Sequence, residues 1–119
     1  MRTPAYHLHI YFDATSREHA LRLRSHIGQT YPDVVLGRVH ESPVAFHPLP
    51  MYQVTVAASD LGQLLAEICA ERGSLSVLVH PLHGDPWVEH TDDAMWLGQR
   101  LELDRARLLR ASSAVQRRE

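Results

Sequence analysis

The chain of 119 residues contains no lysine, a single cysteine, and only 7% aromatic residues. Nucleic acids and anionic membranes are bound mainly by clustered basic side chains, so a net charge of −2 argues against both as partners. Cys69 alone excludes an intramolecular disulfide. No apolar run approaches the roughly 20 residues of a membrane span, and residues 1–7 lack the apolar core of a secretory signal. We therefore expect a cytoplasmic protein.

Histidine is the residue type in excess. Hydrophobic residues make up 45% and charged residues 22% of the chain, which is normal for a globular domain, yet there are nine histidines. Histidine is the commonest metal ligand and titrates near neutral pH. The composition therefore points to metal binding or acid/base chemistry, and the spacing of the histidines has to decide between these and a structural role.

Hydrophobic periodicity predicts six regular elements. Alternation with period two predicts strands at residues 5–12, 34–41, 51–58 and 75–80, and helical spacing predicts helices at 16–29 and 60–72. The order β-α-β-β-α-β is typical of the ferredoxin-like α+β sandwich, a four-stranded antiparallel sheet with two helices on one face. We expect one such domain over residues 1–104, with a short helix at 92–97, and an arginine-rich C-terminal tail over 105–119.

The alternation divides the sheet into an apolar face, which the helices cover, and a polar face rich in histidine. His7 and His9 share the polar face of the first strand, about 6.6 Å apart along the chain. The last strand runs antiparallel to the first, which brings His80 beside His7. These histidines could meet a metal or a substrate, or form a hydrogen-bonded group at a covered sheet surface. For His47, in a proline-rich loop, a surface position and a position folded over this face both stay open.

The polar face also predicts what packs on it. It is too polar for a second core and too broad to stay bare, so either a second copy of the chain or the C-terminal segment should cover it. We expect a homodimer. Arg38, on the same face, could pair with a substrate carboxylate or be a solvated cation, and Trp87 could be a wall for an aromatic ligand. Cys69 flanks an apolar helical stripe and is predicted to be a buried thiol.

Several separated motifs resemble one enzyme family. They are Tyr-His-Leu-His-Ile-Tyr-Phe at residues 6–12, Pro-Val-Ala-Phe-His-Pro at 43–48 with Met-Tyr at 51–52, Leu-Ser-Val-Leu-Val-His-Pro at 75–81, Gly-Asp at 84–85, Glu-His-Thr at 89–91, and Trp-Leu-Gly at 96–98 with Leu101 and Leu103. Together they resemble the DOPA 4,5-dioxygenase family of aromatic ring-opening enzymes. Two motifs depart from the family pattern, which has Gly-Pro-His-Pro around His47 and Asp-His where this chain has Glu89-His90.

The resemblance implies extradiol cleavage of a catecholic, DOPA-like compound by a mononuclear non-haem Fe(II) ion, with O2 as co-substrate. Such sites use imidazoles and often a carboxylate, leaving open positions for substrate and O2, although imidazole also suits zinc and other divalent ions. From the five motif histidines we predict His9 and His80 as metal ligands, because strand-borne ligands are rigidly supported, with His47 or His90 as the third and His47 preferred. His7 and His90 are predicted to transfer protons. Glu89 and Asp85 are both candidates for a carboxylate ligand.

Two other functions remain open. A domain of the same fold could hold a metal or small ligand without catalysis, and a small interaction module could carry the histidines as hydrogen-bonded structural groups. The predicted partners are therefore a small aromatic substrate, O2 and a second copy of the chain, with no nucleic acid and no membrane.

Overall fold

A computed structural model describes residues 4–118, with side chains to residue 115. Residues 1–3 and 119, the ends of the predicted domain and tail, lie outside the described residues. The strands are β1 Ala5–Tyr11, β2 Val35–Leu36, β3 Met51–Ala57, β4 Ser76–Pro81 and β5 Met95–Leu97. The helices are α1 Arg17–Thr30, α2 Ala58–Glu71, α3 Pro86–His90 and α4 Arg105–Arg118.

The described strands form one antiparallel sheet in the order β2-β3-β1-β4-β5, with β1 at its centre. Apolar residues of β1, β3 and β4 pack against the inner faces of α1 and α2 in a single core. This core contains Leu8 and Ile10 of β1, Ile27 of α1 and Ile68 of α2, all at most 1% exposed. The ferredoxin-like α+β arrangement is confirmed, with one strand more than predicted.

The additional strand replaces a predicted helix. Residues 92–97 do not form a helix, because β5 pairs with β4 and places Trp96 opposite Leu78, with its ring 6.0 Å from that of Tyr11. The short helix lies earlier, in α3, where the Asp85 side chain accepts the N–H groups of Trp87 and Val88. Tertiary pairing therefore decides the structure of a segment too short for its periodicity to be informative.

Two smaller predictions are also wrong. The strand predicted at 34–41 contains only Val35–Leu36 and an isolated bridge from His40 to Met51. Gly37 still donates to the carbonyl of Gln53, but its own carbonyl accepts from the guanidinium of Arg24, so the ladder ends there. Cys69 is exposed because it lies beside the apolar stripe of α2 and not within it.

Residues of the same chain cover part of the histidine-bearing face. Tyr11, Met51 and Leu78 are buried there beneath Val44 and Leu49 of the proline-rich loop and residues 94–103. The segment predicted as a tail forms α4, whose Leu108 and Ser112 are buried. The homodimer stays a prediction, with less open surface to support it. None of the described helices is long and apolar enough to cross a membrane.

Ala45 has a left-handed backbone conformation, with φ of 50°. This conformation strains any residue with a Cβ, and glycine adopts it freely. We expect Ala45→Gly to raise the free energy of unfolding by about 1 kcal/mol. Relief of the backbone strain stabilises the folded state by more than the greater entropy of glycine stabilises the unfolded chain. Urea unfolding measures the change.

The matched control is Ala66→Gly, at an exposed position inside α2. The same chemical change should lower the free energy of unfolding there by about 1 kcal/mol, because glycine is a poor helix former. Equal losses at both positions would show that the backbone of Ala45 is not strained.

Candidate metal centre

His9 of β1 and His80 of β4 form the centre of the histidine cluster. Both are buried, and their Nε2 atoms are 3.0 Å apart. The Nδ1 atom of His80 is 2.9 Å from the carbonyl of Pro81, which can only accept, so Nδ1 carries the proton and Nε2 is bare. His9 therefore donates from Nε2 to His80. The Nδ1 atom of His9 is buried and has no hydrogen-bond partner among the described residues.

The short helix α3 brings a second histidine and a carboxylate to His80. The Nδ1 atom of His90 lies 2.7 Å from the carbonyl of Pro86 and donates to it, which leaves Nε2 bare. The rings of His80 and His90 have their centroids 4.0 Å apart. Glu89 is buried, and its Oε2 accepts the backbone N–H groups of His83 and Gly84 at 2.7 and 2.9 Å. Helix α3 thus supplies a neutral imidazole and a carboxylate from adjacent positions.

His7 and His47 complete the cluster. His7 is half-buried and lies opposite His80 in the β1–β4 ladder, with a ring-centroid distance of 5.4 Å. The loop of His47 folds over the sheet and brings its ring 4.4 Å from that of His9. The Nδ1 atom of His47 is 2.7 Å from the hydroxyl of Tyr11. The ring of Phe46 lies 4.6 Å from that of His47 and 4.7 Å from that of His90, and so packs beside both.

The cluster contains two sets of potential ligand atoms, and the atoms of each set lie within 4.8 Å of one another. One set comes from His7, His9 and His80, and the other comes from His80, Glu89 and His90. His80 belongs to both but offers a single bare nitrogen. Nε2 of His9 donates to Nε2 of His80, so an ion bound at His80 would displace that hydrogen bond, while Nε2 of His90 and a carboxylate oxygen of Glu89 offer two further donors. The residues present therefore fit one divalent ion.

Burial keeps these imidazoles neutral. Desolvation, with repulsion from neighbouring imidazoles, lowers the pKa of His7 and of His90 to about 4 and that of His47 to about 3, and it lowers the pKa of His9 strongly. Neutral imidazole is the form that binds metals. Burial also raises the pKa of Tyr11, so this hydroxyl keeps its proton. We assign that proton to the hydrogen bond with Nδ1 of His47, which leaves a hydrogen on Nε2.

The structure brings all five predicted histidines together, but it does not bring in every predicted residue. Arg38 is exposed on the segment after β2, outside both ligand sets. Trp87 is half-buried in the first turn of α3. Asp85 caps α3 and belongs to neither set, whereas Glu89 belongs to one. Sequence reasoning missed Tyr11 as the hydrogen-bond partner of His47, although its position on the face of His7 and His9 was a usable signal.

Known proteins that are similar to this chain agree in family and in fold. The model of the Dopa 4,5-dioxygenase family matches residues 6–107. The chain is 32% identical over 111 residues to a DOPA 4,5-dioxygenase from Amanita muscaria, covering 87% of this chain and 49% of that protein. It is also 32% identical over 111 residues to an uncharacterized 21.2 kDa protein from Botryotinia fuckeliana, covering 84% and 61%. The chain thus spans about half the length of the first relative and three fifths of the second.

A solved structure extends the similarity to the whole fold. The crystal structure of a candidate dioxygenase from Nostoc punctiforme superimposes with a TM-score of 0.85 at 36% sequence identity. The match covers 92% of this chain and 93% of the other. Fold and chain length are therefore shared with that protein.

The lowered histidine pKa values predict acid instability of the metal-free protein. In the unfolded chain these residues titrate near 6.5, but in the folded cluster the pKa is about 4 for His7 and His90 and about 3 for His47, so the unfolded state binds more protons between these values. The free energy of unfolding should fall as the pH drops from 6.5 to about 4, and should not respond to these groups above pH 7. Thermal unfolding across this pH range measures the effect.

His47→Gln should flatten this pH dependence, because it removes one of the buried titrating groups while keeping a side chain that can accept from Tyr11. His26→Gln is the matched control, since His26 is exposed on α1. Equal slopes for the wild type and His47→Gln would contradict the burial argument.

Proposed function

The chain belongs to the Dopa 4,5-dioxygenase family, and on that premise we propose that it is an extradiol dioxygenase that opens the ring of a catecholic substrate with one Fe(II) ion. The observation that carries the proposal is the buried, neutral histidine cluster around His80. Two imidazoles and one carboxylate on one side of an ion are the usual ligands of non-haem Fe(II) oxygenases. The cluster contains this combination in His80, His90 and Glu89.

We assign the ion to this set because of how its histidines are held. Metal-ligating histidines almost always donate their second ring N–H to a carbonyl or carboxylate, which orients the ring. His80 and His90 both do so, at 2.9 and 2.7 Å. The second nitrogen of His9 has no such partner. His90, predicted from sequence to transfer protons, is therefore proposed as a ligand, and His9, predicted as a ligand, is proposed to lie beside the ion.

His47 is also reassigned in this proposal. It belongs to neither ligand set, and the Tyr11 hydroxyl occupies its Nδ1. With the proton of Tyr11 on that side, Nε2 of His47 carries a hydrogen and can donate to an oxygen of the substrate. The Tyr11–His47 pair would thus act as an acid.

His7 is proposed as the base. It is the least buried histidine of the cluster, and its lowered pKa keeps it neutral at pH 7. A neutral imidazole of this kind can accept a proton from a catechol hydroxyl. A bound Fe(II) ion would supply open coordination positions for the catechol and O2 and a path by which electrons pass from the catechol to O2. Both oxygen atoms enter the product as one carbon–carbon bond beside the hydroxyls breaks, so no external reductant is required.

The activity is tested by anaerobic reconstitution with Fe(II), followed by a panel of catechols with O2. We expect one iron per chain, O2 consumption, and yellow ring-fission products. Iron binding without O2 uptake in the presence of catechols would identify a non-catalytic metal-binding domain. Absence of stoichiometric metal would instead favour an interaction module.

Alanine variants separate ligands from proton carriers. His80→Ala and His90→Ala should lose both iron and turnover. His7→Ala should keep iron and lower turnover by roughly 10² to 10⁴, which is the usual contribution of general acid/base catalysis. Iron content and kcat are the two measurements.

His26→Ala, on the exposed side of α1, is the control and should change neither quantity. Loss of iron in His7→Ala with retention in His90→Ala would place the ion instead among His7, His9 and His80.

A further inference from the structure

Two segments outside the sheet bring histidines to the cluster: α3, which carries His90, and the loop that carries His47. Helix α4 contacts both of them. Its Ser112 hydroxyl donates to Oδ1 of Asp85, at the start of α3, over 2.7 Å. Its Arg107 donates from Nη1 to the carbonyl of Ala45, two residues before His47, over 3.1 Å. Leu108 lies between them in sequence and is fully buried, so the helix is anchored. One helix therefore spans the distance between the two segments.

The contact with α3 fixes a helix that has little stability of its own. Helix α3 has five residues, and isolated helices of that length do not persist in water. Its first turn is held by Oδ1 of Asp85, which accepts from the N–H groups of Trp87 and Val88. Ser112 donates to the same oxygen. The Ser112 hydroxyl thus orients the carboxylate on which the placement of Glu89 and His90 depends.

The contact with the His47 loop fixes a strained backbone. Ala45 has a φ of 50°, a conformation that has to be held by its surroundings. Arg107 binds its carbonyl, and the N–H of Asp104, just before α4, donates to the carbonyl of Phe46 over 2.9 Å. Asp104 in turn caps α4 by accepting the N–H of Arg107. The start of α4 and the loop are therefore one hydrogen-bonded unit.

We propose that α4 is a clamp that sets the relative position of α3 and the His47 loop, with Ser112 and Arg107 as its positioning residues. The functional consequence rests on the proposed function, in which His90 is a ligand and His47 a proton donor. The two contacts act on different steps. Ser112 supports metal binding through α3, and Arg107 supports turnover through the loop.

Binding of Co(II), followed by its visible absorption, tests the Ser112 contact. Ser112→Ala should weaken Co(II) binding by about 10- to 100-fold, which is the usual effect of losing a group that supports a ligand. Ser113→Ala, at the next position of the same helix, should bind as the wild type does. Asp85→Asn keeps an oxygen that can accept and should preserve most of the affinity, whereas Asp85→Ala should not.

Steady-state kinetics test the Arg107 contact. Arg107→Ala should leave Co(II) affinity unchanged and lower the kcat of the iron-loaded enzyme at least several-fold. Arg110→Ala, an exposed arginine on the same helix, is the matched control. Weaker Co(II) binding in Arg107→Ala, or unchanged kcat, would contradict the division of roles.

Imidazole NMR signals of the metal-free protein test the clamp without any metal or activity. Ser112→Ala should shift the ring nitrogen signals of His90, and Arg107→Ala those of His47, while Ser113→Ala and Arg110→Ala shift neither. If both rings keep their wild-type signals, the clamp is wrong even where iron and turnover are present. If the signals shift but the wild type binds no metal, the clamp stands and the proposed function fails.

Discussion

The pairing of β1 with β4 is the constraint on which the rest of the site depends. The antiparallel register sets His7 opposite His80 and His9 opposite Leu78 at the centre of the sheet. The side chains on the polar face of β1 therefore lie beside the C-terminal end of β4, and the Nε2 atoms of His9 and His80 are 3.0 Å apart. A shift of one residue would turn His7 and His9 into the apolar core. The ladder thus determines both that a cluster forms and which imidazoles it contains.

Burial gives this cluster its chemistry. Removing imidazoles from water disfavours their charged forms, and a proton on one imidazole repels a second proton on a neighbour within a few ångströms. The lowered pKa values of His7, His47 and His90 follow from these two effects. The carbonyls of Pro81 and Pro86 then decide which nitrogen of His80 and His90 is bare. A cation that bound Nε2 of His80 would displace the hydrogen bond from His9 but would release no proton from His80 or His90.

The departures from the family pattern lie where the clamp acts. Ala45 occupies a left-handed conformation that suits the glycine of the family motif, and Arg107 binds its carbonyl. Glu89 replaces an aspartate and reaches the amides of His83 and Gly84 while staying beside His80. The longer side chain can therefore tie the preceding loop to the site. Both changes leave the histidine in place and alter what surrounds it.

The sequence by itself determined the ferredoxin-like order of elements and the shared face of His7, His9 and Tyr11, because alternation along a strand is a local property of the chain. It also predicted His80 beside His7, since antiparallel topology follows from that order. Only the tertiary structure decided that Glu89, and not Asp85, stands beside His80, that Tyr11 occupies Nδ1 of His47, and that the proline-rich loop and residues 94–103 cover part of the open face. These features depend on short segments with no periodicity of their own, whose conformation is set by contacts with residues distant in the chain.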